Sequence, residues 1–86
     1  MPRGLKNWGY SDVVDFLKAR GFEFYEYRKV SHEAWIGNVK NEEAIVEVNF
    51  IGGSKSYPPR TLETMIRQSM IDKKEWRQWA LNPEKL

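Results

Sequence analysis

Residues 22–37 read FEFYEYRKVSHEAWIG, and the parsing of this stretch decides the fold. It is rich in aromatic and β-branched residues, which suit a pleated, half-buried surface. It predicts two strands, roughly 22–28 and 31–39, joined by a tight turn. The segment upstream, SDVVDFLKARG, predicts a helix. Ser11 suits the N-cap, Asp12 and Asp15 lie near the positive end of the helix dipole, and Gly21 falls where a C-cap glycine belongs. Val13, Val14, Phe16 and Leu17 give that helix an apolar stripe. Residues 1–10 read as a loose entry arm.

Downstream, NVKNEE (38–43) is a polar hairpin connection, and AIVEVNFI (44–51) is the clearest strand of all. Val46, Val48 and Phe50 fall on one face of it, with Glu47 and Asn49 on the other. GGSKSYPP (52–59) must be irregular, because two glycines and two prolines punctuate it. A second helix begins near Pro59 or Arg60, with Leu62, Met65, Ile66 and Ser69 or Met70 as its inward stripe. Asp72 opens a third, short helix through a capping box with Glu75, flanked by Ile71 and Trp76 in hydrophobic-staple positions. Pro83 follows its expected end. The result is an α+β domain over residues 1–86, in the order α-β-β-β-α with an extra short C-terminal helix. Its three-stranded antiparallel sheet carries helices on one face.

Composition narrows the function classes. The 86 residues carry a net charge of +2, which alone favours an anionic partner only weakly. There is no cysteine, so no disulfide or thiolate zinc site forms, and one histidine completes no zinc ligand set. Metal and cofactor are therefore not expected. No apolar run approaches the ~18 residues of a membrane span, and MPRGLKNWGY lacks the apolar core of a signal peptide. The chain reads as soluble and cytoplasmic.

Chemistry concentrates around His32, the one side chain type that titrates near neutral pH; the alternative is a structural or merely exposed histidine, and a single one supplies only half of an acid–base pair. Arg28 and Lys29 can hold a phosphate beside it, and Ser31 can add a hydrogen bond. Lys55 in the glycine-proline loop, Arg60 at the start of the second helix and Arg67 further along it are the other candidate phosphate contacts. For all these cations the alternative is a solvated surface. KKEWRQW (73–79) places Trp76 and Trp79 near cations; their i, i+3 spacing reads as core packing, with base stacking the alternative. Tyr25, Tyr27 and Trp35 can line an RNA-facing sheet, although some of them must belong to the core. GGSKS lacks the spacing of any phosphate-cradling glycine motif.

Three stretches together resemble the HicA family, the toxins of bacterial HicA–HicB toxin–antitoxin pairs. Residues 11–22 are similar to the family's opening helix, which ends in glycine plus an aromatic. Ser31-His32, after a basic residue and before an aromatic three positions on, resembles its Gly-Ser-His motif. Thr61-Leu62 through Ile66-Arg67-Gln68, then residues 71–76, resemble its TLRxILxQ helix and the capped helix after it. The likeness spans roughly residues 11–79.

The resemblance implies a double-stranded-RNA-binding-like fold and an endoribonuclease that cleaves messenger RNA and inhibits translation. It implies that His32 is catalytic, and that a HicB-type antitoxin protein covers it. The chain departs from the family at Val30, where glycine is usual, and at Arg60, which replaces a glycine. The loop before Arg60 lacks the proline-histidine often found in the family; if that second histidine serves catalysis or binding there, Lys55, Tyr57 or Arg60 must substitute for it, or activity is lost. Two other expectations stand beside the nuclease: an RNA-binding module of the same fold that does not cleave, and a protein-interaction domain.

Overall fold

A computed structural model describes Leu5 and residues 7–81 of the chain. The element order is α1 (Tyr10–Ala19), β1 (Glu23–Lys29), β2 (His32–Val39), β3 (Glu42–Asn49), α2 (Pro59–Ser69) and α3 (Lys73–Leu81). The strands form one antiparallel sheet in the order β1-β2-β3, so β2 is central and both its neighbours are edges. The α-β-β-β-α order with one added helix agrees with the sequence reading. Pro83 and residues 1–4 and 6 of the entry arm lie outside the described residues.

Two hairpin turns set the register. Lys40 and Asn41 have φ of +53° and +68°, the paired left-handed conformation whose twist matches that of the flanking strands. Val30 and Ser31 form the other turn, with Ser31 at φ +64°. The backbone N–H of Phe50 donates to the Ser31 carbonyl at 2.8 Å, tying this turn to the end of β3. The β2–β3 register then pairs His32 with Asn49, Glu33 with Val48, Ala34 with Glu47 and Trp35 with Val46. Because paired residues share a face, Trp35, Val46 and Val48 point to the core, and His32, Glu47 and Asn49 point away from it.

The helices cover the core face. α1 buries Val13, Val14, Phe16 and Leu17, and α2 buries Leu62, Met65, Ile66 and Ser69, the stripes expected from their 3.6-residue period. Met70 takes the left-handed conformation at φ +62° and ends α2, so the last inward residue is Ser69. At the end of α1, Phe22 N–H donates to Leu17 O and Gly21 N–H to Lys18 O, with Gly21 at φ +88°. This is the glycine-dependent helix stop. It also delivers Phe22 onto Gly37 of β2, where an added Cβ would sit 2.6 Å from the Phe22 ring. Gly37 is thus required by close approach of an aromatic face.

Four expectations need correction. The segment 8–10 is not loose: Trp8 is fully buried, 5.5 Å from Trp76 and 6.3 Å from Phe16 between ring centroids. Its carbonyl accepts Tyr57 N–H at 2.8 Å, and Gly9 bridges to Ser56. With Trp8 anchored, α1 opens earlier than Ser11 suggests. Gly9 is the N-cap, and its N–H donates to Asp12 Oδ2 at 2.9 Å. β3 ends at Asn49, and Phe50 lies half-exposed with its ring edge-to-face on Tyr10, not on the core side. At α3, Asp72 Oδ1 accepts Lys74 N–H at 2.8 Å, but Glu75 turns outward to Arg20 at 3.0 Å and leaves the reciprocal half of the capping box unmade.

Candidate functional site

His32 begins β2 on the face away from the core. Its side chain is 36% exposed, and Nδ1 lies 3.9 Å from Oε2 of Glu47, itself 46% exposed. The two are close enough to interact electrostatically but too far for a direct hydrogen bond. They share an open groove of about 330 Å³ with Asn49 and, from α2, Thr61, Thr64 and Gln68. The groove runs from the outer face of β2–β3 across the edge of β3 to the helix.

Several contacts hold its parts. Gln68 Oε1 accepts the backbone N–H of Glu47 at 2.9 Å, so a side chain from α2 occupies an edge position where another strand would otherwise pair. Asn49 is fixed twice: its carbonyl accepts the Tyr57 hydroxyl at 2.6 Å, and its Oδ1 accepts the Ser31 hydroxyl at 3.1 Å.

Behind this face, on the core side of β2, lies a second polar cluster. Glu33 is 9% exposed and accepts the Tyr10 hydroxyl at 2.8 Å and the Trp35 indole N–H at 2.9 Å. Burial, then the bond to Glu33, pushes the Tyr10 hydroxyl up to about 12 from an ordinary 10.0. Burial raises Tyr57 further still, with Tyr10 and Glu33 adding to the effect. These phenols are proton-holding, structural groups: Tyr10 braces β2, which carries His32, and Tyr57 braces the end of β3.

The predicted phosphate contacts divide. Lys29 is the cross-strand partner of His32, on the same face, and forms no ion pair among the described residues. Ser31 adjoins His32 but spends its hydroxyl on Asn49. Arg60 and Arg67 lie seven residues apart on the solvent side of α2, two turns along the helix surface that flanks Thr64. Both are exposed, and neither has a carboxylate partner among the described residues. Arg28 is taken up by Glu26 at 3.2 Å on β1, and Lys55 sits in the loop with its carbonyl against Gly9; neither lines the groove.

The aromatic candidates divide as well. Trp35 is core, whereas Tyr25 and Tyr27 are exposed on β1. Trp76 is fully buried, 4.3 Å from Phe16, and Trp79 packs edge-on to the same ring at 5.8 Å, so these indoles belong to the interior. The sequence reading passed over Glu47 as a groove residue. Its alternation placed it opposite the core, but only the hairpin register puts it beside His32.

Comparison with protein-family models, curated proteins and solved structures gives no match. No helix among the described residues is long and apolar enough to cross a membrane.

Proposed function

We propose that the chain is a metal-independent endoribonuclease acting on messenger RNA, the toxin of a HicA–HicB type pair, built on a double-stranded-RNA-binding-like architecture. One observation carries the reading. The protein's sole imidazole is partly exposed in an open polar groove, with Lys29 directly across the hairpin. RNA cleavage without a metal needs groups that take and give protons at the reacting ribose and phosphate, and such assistance typically contributes ~10²–10⁴ in rate. Lys29 and the Arg60–Arg67 face of α2 supply positive charge on two sides of the groove for the phosphates. The cytoplasm is where such a substrate is met.

The exposed aromatics of β1 favour a second reading, a protein-docking surface. Phe24, Tyr25 and Tyr27 are 45%, 54% and 67% exposed, and aromatics of this kind are enriched where proteins meet. In the toxin reading this surface serves the antitoxin.

The test is cleavage of one RNA by the purified protein and by His32→Ala, with chelator present. The wild type yields fragments, and the variant is at least about 100-fold slower. Equal cleavage by both rejects the catalytic role. Salt-sensitive RNA retention without fragments replaces the nuclease by a binding module.

A further inference from the structure

We infer that Glu47 is the general base of the reaction and His32 its general acid, the two forming the acid–base pair of one groove. This rests on the ribonuclease reading and supplies the partner that a single histidine needs.

Internal cleavage of RNA requires two proton movements. A base takes the proton of the 2′-hydroxyl as its oxygen bonds to phosphorus, and the P–O5′ bond breaks as an acid delivers a proton to O5′. The products are a 2′,3′-cyclic phosphate and a 5′-hydroxyl, with no oxidant, reductant or co-reactant consumed. Carboxylates ordinarily give up their proton at lower pH than imidazoles, so of the two groups the carboxylate is the natural acceptor and the imidazole the natural donor, which assigns the roles. Glu47 and His32 lie 3.9 Å apart, with neither quenched by a direct hydrogen bond to the other. Both are exposed enough to part around a phosphodiester.

The surroundings single out this carboxylate. The other acidic side chain next to His32, Glu33, points to the core and is spent on Tyr10 and Trp35. Glu47 alone among acidic side chains lines the groove with His32. The charged groups on the same sheet face as the pair are Lys29, opposite His32, and Glu26, which shares its row with Glu47 and pairs with Arg28; the α2 residues that line the groove, Thr61, Thr64 and Gln68, carry no charge, and Arg60 and Arg67 lie on the solvent side of that helix. Gln68 holds the Glu47 backbone at 2.9 Å, and Asn49, held by the Ser31 hydroxyl at 3.1 Å, lines the same groove.

The experiment compares wild type, His32→Ala, Glu47→Gln and Glu47→Asp on one single-stranded RNA oligonucleotide, in chelator, across pH. Glu47→Gln keeps the side chain's shape and removes its basicity. It is expected to lower kcat at least about 100-fold with KM within about 3-fold, and to abolish the acidic limb of the kcat/KM profile. Glu47→Asp retains more activity than Glu47→Gln, and the wild-type product ends in a cyclic phosphate. Wild-type kcat in Glu47→Gln, an acidic limb that survives, or equal losses in the two Glu47 variants overturns the assignment while leaving His32 catalytic. No product from the wild type removes the ribonuclease reading itself, a separate result. Matched thermal melts of the variants exclude unfolding as the cause of a loss.

Discussion

The two edges of the sheet, β1 and β3, are built to opposite plans. β3 alternates strictly: Ala44, Val46 and Val48 are buried between exposed neighbours, and α2 lies along its free side with Gln68 occupying one backbone donor. β1 is exposed along its whole length, and its pairing to β2 breaks register twice, between Phe24 and Glu26 and between Tyr27 and Lys29. Register shifts, an edge lysine and an intrastrand Glu26–Arg28 pair are devices that discourage further strand addition. One edge is closed by a helix and becomes a groove wall; the other is left open and blunted. A three-stranded sheet can therefore assign its stability to one side and its accessible aromatic surface to the other.

Substitutions can test this division. Val46 is fully buried on β3, opposite Trp35. Val46→Ala removes two methyl groups from a packed site and is expected to cost about 2–3 kcal/mol in denaturant unfolding. A loss below about 1 kcal/mol would mean that β3 does not anchor the core.

The core side of the sheet also has a pH signature. Tyr10 and Tyr57 hold their protons more tightly folded than unfolded, Tyr10 up to about 12 against 10.0. A raised folded value means the contribution is fully present below about pH 10 and is lost as pH rises towards 12. Thermal melts should therefore decline above pH 10, and Tyr10→Phe should flatten that decline. A decline of unchanged steepness in Tyr10→Phe would remove Tyr10 from the account.

The smallest effects separate the edges themselves. Gln68→Ala leaves the Glu47 N–H to water and should cost about 1 kcal/mol. Tyr25→Ser on β1 should stay within about 0.5 kcal/mol. The reverse ranking would make β1 the structural edge.

The same contrast explains what could be read from the chain alone. β3 and both long helices were legible because a buried face imposes a period on the sequence. Trp8 was not, because a single indole before the first helix has no period and is recruited by Tyr57 and Trp76, about 50 and 70 residues away in the chain. Glu75 was misread because a capping signal is local, whereas its actual partner, Arg20, comes from another helix. In the candidate site His32 stood out by its chemistry. Glu47 did not, since a glutamate in a strand is ordinary until the register sets it opposite Ala34 and diagonal to the imidazole. Arg28 and Lys55 were grouped with the site by charge and are drawn off by a neighbouring carboxylate and by the loop's course.

Trp8, Trp76 and Trp79 gather around Phe16, and the indole N–H groups of Trp76 and Trp79 are enclosed with no acceptor among the described residues. Rings packed this closely in a fixed chiral arrangement couple their electronic transitions. The folded protein thus carries its own optical reporter, a near-ultraviolet dichroic band that vanishes when the cluster loosens. Because these three rings lie outside the His32 groove, the band monitors the integrity of the interior while leaving ligand occupancy to be followed by other probes.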